Sequence, residues 1–308
     1  MIMQTSFMTL GIDLGGTQIR AARILPHGRV DGYVVSMETR AGFLPGEAIY
    51  ERIRQAAQQA IGEEDIAAVG IGSTGPLDIN RGMTLDCNNL PSLQYFPLCE
   101  RLAADLGKPV FLNNDANALI LGEAAVGAGQ GKSRVLGLTL GTGLGAALVV
   151  DLHVVRGARD NAGEIWTAPY GDGIIEDVLS GTGVQNMYAE LTGKNLQGRE
   201  IARLAREGDP QALSVWERFA DALGFTLSWT VNMDDPDIVV LGGSVVASAD
   251  LFLARAEEKM RRYICKSTSE NIRVVTARLG GDAGVIGAGI DARVRYLASL
   301  SPDASADN

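Results

Sequence analysis

Two segments far apart in the chain repeat one pattern, and that repetition constrains the fold more than any other feature. The first, SFMTLGIDLGGTQIRAARILP, reads as a strand, a turn of Gly15, Gly16 and Thr17, and a second strand. The second, VLGLTLGTGLGAALVVD, again reads as strand, turn and strand, the turn now formed by Gly141, Thr142 and Gly143. A chain of 308 residues is about twice the commonest domain size, so two lobes, each containing one copy of this hairpin, are expected. The copies also carry chemistry. A turn of glycine and threonine presents main-chain N–H groups and a hydroxyl with no side chain in the way, which suits a phosphate. One such turn alone is an ordinary Gly-rich hairpin. Two of them on duplicated halves would grip a triphosphate from both sides, and Asp13, which ends the first strand, would face its metal through water.

The remaining periodicities alternate strand and helix. GRVDGYVVSMET gives a third antiparallel strand, and Ile49, Ile53, Ala57 and Ile61 recur at helical spacing over residues 47–61. A buried strand at 66–72, a helix at 98–106 and a strand at 109–112 follow, the last ending in Asn113, Asn114, Asp115 and Asn117. Polar residues at the carboxyl end of a strand mark a site. In the second half, helical patterns cover 176–191, 210–233 and 250–264, with a buried strand at 237–243 and a terminal helix running through Leu297. The tail from Ser301 is polar and expected to fray. A Walker loop is absent, and G-x-G-x-x-G after a strand is not matched in a dinucleotide context.

Composition narrows the function classes. A net charge of −10 with no Lys/Arg block gives nucleic acid nothing to bind. The apolar runs are too short to span a bilayer and the N-terminal segment lacks the basic region of a secretion signal, so a cytoplasmic location is expected, with no membrane partner. Cysteines at 87, 99 and 265, odd in number and without CxxC spacing, read as free thiols. The two histidines, His27 and His153, fall where hairpin turns are expected and are poor catalytic candidates. A proton acceptor must then be a carboxylate, or failing that Lys, Tyr or Cys. Asp115 among its asparagines suits that task; its other reading is the N-cap of the helix DANALILGEAA.

In order along the chain stand DLGGTQIR, GIGSTGPLD, an Asn-Leu-Pro at 89–91, NNDANA, LGTGLGAAL, an Ala-Gly-Glu at 162–164, IEDVLSG, VVLGGSV and GDAGVIGAG. Each is weak alone. As an ordered set covering nearly the whole chain, they resemble the ROK sugar kinases, a branch of the actin-like, hexokinase-like ATPases. The resemblance implies an α/β fold of two actin-like (ribonuclease H-like) lobes with mixed sheets around a central cleft. Residues 1–115 would form a small N-terminal lobe, completed by a C-terminal helix over 290–308, and residues 116–289 the large lobe. It further implies ATP-dependent phosphorylation of a hexose hydroxyl, with Mg²⁺ and with Asp115 as base. Asn114, Glu164 and Glu176 would hold sugar hydroxyls, and Asn89, Ser73, Thr74 and Gly75 would complete the pocket. ATP would lie against Asp13, Gly15, Gly16, Thr17, Gly141, Thr142, Gly143, Gly242, Gly243 and Ser244. A homodimer is implied as well.

Carboxylates and amides suit these sugar contacts because they bind neighbouring hydroxyls in fixed orientation. For Glu176 the competing reading is a solvated acid in the first turn of a helix. The chain departs from the family at its zinc motif: Thr167 stands where the family carries His, and APYGDGIIED contains no Cys, so no zinc is expected. That change bears on sugar choice, since Thr167 or Trp166 would form a different wall. Gln18 replaces a commonly basic residue. A DNA-binding repressor of the same family is disfavoured by the acidity and by the short stretch before Asp13. A non-catalytic sugar-binding regulator is disfavoured by the presence of Asp115 with both turns. A kinase for acetate or glycerol is disfavoured by the two glutamates.

Overall fold

The computed structural model describes Met3 and residues 5–300. By internal contacts the chain divides into two units. The first contains residues up to Gly131, Asp151–Val154, and the chain from Arg278 onward; the second contains Lys132–Val150 and Val155–Ala277.

In chain order the first unit begins with strands β1 (Thr9–Leu14), β2 (Gln18–Ile24) and β3 (Val30–Glu38), then helix α1 (Gly46–Ile61) and strand β4 (Val69–Ser73). A short pair, β5 (Leu77–Asp78) and β6 (Met83–Thr84), precedes α2 (Leu98–Leu106), β7 (Val110–Asn114) and α3 (Asp115–Val126). The second unit holds β8 (Arg134–Leu140) and β9 (Leu144–Val150), after which the chain re-enters the first for β10 (His153–Val154). Back in the second unit come β11 (Pro169–Tyr170), β12 (Gly173–Ile174), α4 (Gly181–Thr192), α5 (Gly198–Arg206) and α6 (Pro210–Asp234). It ends with β13 (Ile238–Gly242), α7 (Ala249–Arg261), α8 (Lys266–Asn271) and β14 (Val274–Thr276), and the first unit then closes with α9 (Ala283–Ser299).

The first sheet has the order β3-β2-β1-β4-β7; its hairpin strands are antiparallel, and β1, β4 and β7 run parallel. In the second unit β9, β8, β13 and β14 lie side by side, β8 antiparallel to β9 and parallel to β13, which is parallel to β14. The duplication read from the two Gly/Thr hairpins is therefore a duplication of mixed sheets. Each unit has its own core. Ile12, Ile71 and Leu112 pack against Ile53 and Leu102 in the first, and Leu138, Leu241, Phe219 and Phe252 pack together in the second. Burying one such side chain contributes about 1.5–3 kcal/mol.

Helix starts follow local chemistry. Asp209 caps α6 by accepting from the Ala212 N–H at 2.8 Å, with Pro210 at the first helical position. Asp115 does not divide the units: α3, which begins there, packs along α9 inside the first, which reaches Gly131. The expected C-terminal helix starts at Ala283 rather than 290, and its expected continuation past 300, like the polar tail, falls outside the described residues. Among the described residues no helix is long and apolar enough to cross a membrane.

Candidate active site

In the first unit the predicted residues gather at the carboxyl ends of the parallel strands. Pairing in register places Leu14 beside Ser73 and Ser73 beside Asn114, so β1, β4 and β7 end level with one another. The turn of Gly15, Gly16 and Thr17 is closed by a bond from the Gly15 N–H to Gln18 O at 2.9 Å. Thr39 braces it, its hydroxyl donating to Gly15 O at 2.6 Å and its N–H to Thr17 O at 2.8 Å. The main-chain oxygen of Asn89 approaches Gly16 so closely that a Cβ there would lie 2.5 Å from it. The Asn89 amide in turn donates to the Thr74 hydroxyl at 3.3 Å. Asn89, Thr74 and the first turn thus form one cluster, with Ser73 buried beneath it and Gly75 leading out of it toward β5.

The N-cap of α3 is Asn114, whose side chain accepts from the Ala116 N–H at 2.9 Å. Asp115 is accordingly the first residue of the helix, exposed, at the end where the helix dipole favours an anion. The N-cap position considered for Asp115 belongs to its neighbour, while Asp115 Oδ1 accepts from the same Ala116 N–H at 2.8 Å. Behind it, buried Asn113 uses one oxygen to accept from the Asn114 N–H and from the Asn117 amide, both at 2.9 Å, which fixes the strand-to-helix turn.

Asp13, expected to end its strand, lies one residue before the end of β1, opposite Arg20 on β2. Burial, and after it the charge of Asp115, push the Asp13 carboxyl up to about 6 against the opposing pull of Arg20. Arg20 itself is tied to Asp282 at 2.6 Å and to the main-chain oxygen of Gly281, at the start of α9.

In the second unit the turn of Gly141, Thr142 and Gly143 lies against the start of α4. Gly181 N–H donates to Gly141 O at 2.7 Å and the Thr182 hydroxyl to Thr142 O at 2.9 Å. Gly242 ends β13, and Gly243, at φ 86°, rests on the main chain of Leu140, directly before the turn. Ser244 then opens a 3-10 turn, Ser244–Ser248, and is exposed. The two predicted nucleotide segments of this unit are therefore neighbours. Glu164 is exposed and its carboxylate accepts the indole N–H of Trp166; it directly precedes the 3-10 turn Ile165–Thr167, which contains Trp166 and Thr167. Glu176 is half-buried and faces the turn, accepting from the Leu144 N–H at 2.7 Å. It lies in a separate 3-10 turn, Ile175–Asp177, ahead of α4, and so is not an acid of that helix's first turn.

Sequence reasoning did not single out Thr39, Ser180 or Thr182. Ser180 caps α4 by accepting from the Gly183 N–H at 2.9 Å, a role its place before a helical run could have signalled. Thr39 has no such signal, because only the folded β2–β3 hairpin returns it to Gly15. Among the described residues no group of three or more His, Cys, Asp or Glu could hold a metal ion.

A mixed sheet repeated in both units, with a Gly/Thr turn at the matching place in each, defines the actin-like ATPase class. The description of the ROK family matches residues 9–293. The glucokinase of Thermotoga maritima is 31% identical over 306 residues, 91% of this chain and 95% of its own. A crystal structure of the ROK hexokinase from Thermus thermophilus superposes with a TM-score of 0.86 at 33% identity, covering 94% of this chain and 99% of that one. A ROK family glucokinase from Streptomyces griseus, solved with glucose and AMPPNP, superposes with a TM-score of 0.77 at 30% identity, covering 93% and 99%. The chain belongs to the ROK family.

Proposed function

We propose that this ATP-dependent sugar kinase uses Asp115 to accept the proton of a hexose hydroxyl as that oxygen attacks the γ-phosphorus of ATP. The observation that carries the reading is the place of Asp115: exposed, at the first position of α3, directly after Asn114, which caps the helix and pairs with Ser73. The new bond joins the sugar oxygen to phosphorus and the bond to the β–γ bridging oxygen breaks. The carboxylate holds the released proton and ADP leaves with the electron pair. Most of the rate acceleration in such transfers comes from positioning and from charge neutralisation around the phosphoryl oxygens.

Asn114, Asn89, Ser73, Thr74 and Gly75 hold the sugar, and Glu164 and Glu176 supply carboxylate acceptors for its hydroxyls. Trp166, by donating to Glu164, orients that carboxylate without the histidine of the family motif. The turn of Gly15, Gly16 and Thr17 and that of Gly141, Thr142 and Gly143 hold phosphates, and Gly242, Gly243 and Ser244 pass the nucleoside.

Magnesium fits the donor set. Asp13 and Asp115 are two acids close enough for one to raise the pKa of the other, which a divalent cation would relieve. Asp13 would hold the ion through water, its other ligands being phosphate oxygens and water. The ion supplies charge neutralisation at the phosphates. We read the protein as cytoplasmic and, on the family resemblance, as a homodimer.

A coupled ADP-release assay over glucose, fructose, mannose, allose and N-acetylmannosamine tests the reading. Glucose heads the panel because the Thermotoga and Streptomyces relatives are glucokinases. Sugar-dependent ADP release is the expected result. Tight sugar binding with no turnover on any sugar would instead favour a non-catalytic regulator.

A further inference from the structure

Glu176 is bonded to the glycine turn of its own unit. Its Oε2 accepts the Leu144 N–H at 2.7 Å, and Leu144 directly follows Gly143. At Gly143 a Cβ would lie 2.5 Å from that same oxygen, so the approach requires a residue without a side chain. The contact is one of three. Gly181 N–H bonds Gly141 O, and the Thr182 hydroxyl bonds Thr142 O. The segment carrying these groups is itself a fixed piece: the Ser180 hydroxyl donates to Glu176 O at 2.8 Å and accepts from the Gly183 N–H at 2.9 Å. A stretch running from Glu176 to the first turn of α4 therefore grips the phosphate turn along its length.

A main-chain turn recognises phosphate only if its N–H groups point to one place, and glycines do not hold such a geometry unaided. Glu176 supplies the missing restraint, because a hydrogen bond to an ionised acceptor is shorter and stronger than a neutral one.

We propose that Glu176 is a positioning residue for the nucleotide, setting the LGTGLG turn for phosphate before any sugar binds. The inference rests on the reading that this turn holds nucleotide phosphate, and it extends the sugar-holding role given to Glu176 above. A carboxylate has acceptor sites on both oxygens. With Oε2 committed to the turn, Oε1 serves the sugar, so a single side chain joins the two substrates. Sugar that draws on Oε1 acts on the same group that shapes the nucleotide turn.

The test is ADP affinity measured by calorimetry in the absence of sugar, on wild type, E176A, E176Q and G143A. Loss of a charged hydrogen bond predicts ADP binding about tenfold weaker or more in E176A. G143A, whose methyl group displaces the carboxylate while leaving Glu176 in the chain, is expected to follow it. E176Q keeps an amide oxygen for the Leu144 N–H and is expected to retain ADP affinity to within about threefold, the neutral bond being weaker than the charged one. Its sugar KM, by contrast, rises. ADP bound as tightly by E176A and G143A as by wild type, with sugar affinity alone reduced, would overturn the proposal and leave Glu176 a sugar ligand only. Should E176A not fold, G143A and E176Q decide by the same criteria. Failure of wild type to bind ADP would be a different result, removing the nucleotide reading of the turn and the proposal with it.

Discussion

The Asp13 carboxylate lies against the first turn of α9 at Gly284, where a Cβ would come within 3.0 Å of both its Cγ and Oδ2. The helix keeps water from one side of the acid, and this desolvation is the largest cause of its pKa near 6.

A pH-dependent stability follows. The folded value lies above the ordinary aspartate value of 3.8, so folding favours the protonated form of Asp13. That contribution is complete below about pH 4 and is lost as pH rises through about 6. D13N, which stays neutral, should melt higher than wild type at pH 7.5, by at most about 3 kcal/mol, with the gap closing toward pH 4. Thermal unfolding at a series of pH values measures it. A D13N variant less stable than wild type at pH 7.5 would contradict the account. In wild type, affinity for Mg·ADP should fall as pH drops below about 6, and D13N should lack that limb.

Glu123 predicts a stability effect away from the chemistry. Fully buried on α3, it accepts the Ala128 N–H with Oε2 at 2.7 Å, and with Oε1 the N–H groups of Arg278 and Leu279 at 2.8 and 2.7 Å. E123A strands three main-chain donors and should cost about 3 kcal/mol or more, read as a lower denaturant midpoint. E123Q, which keeps the volume and one acceptor oxygen, should lose less. Equal midpoints for wild type and E123A would show that these bonds contribute nothing.

Activity should require Mg²⁺ and should survive zinc-selective chelation, because Thr167 replaces the family histidine and the loop after Pro169 has no cysteine. Elemental analysis of the purified protein is the check. Stoichiometric zinc, with activity lost on its removal, would refute this.

The parts of this molecule legible in its sequence are those whose signal is local. The helix at Leu98–Leu106 and the core face of α1, with Ile49, Ile53 and Ala57 buried, are visible because helical spacing is a property of neighbouring residues. The two Gly/Thr turns are visible because glycine marks main-chain conformation directly. By contrast α8, reading KSTSEN, buries none of its residues and so shows no apolar period, and β14 is too short for an alternation to register. Nine-residue α5 buries only Ile201, Ala202 and Ala205 among charged neighbours. In the site, the residue types at strand ends could be read, whereas Thr39 on Gly15 and Glu176 on Leu144 could not. Those pairs are joined by tertiary return of the chain, and no spacing in the sequence encodes them.

If Asp115 is the base of a sugar-dependent phosphoryl transfer, the nearly isosteric D115N removes the proton acceptor and little else. Sugar-dependent ADP release and the sugar dissociation constant are measured together on wild type and D115N. In D115N kcat is expected to fall by about a thousandfold or more while sugar affinity stays within about threefold, since the proton acceptor is lost and the pocket shape is kept. Turnover by D115N near the wild-type rate would contradict the base role of Asp115.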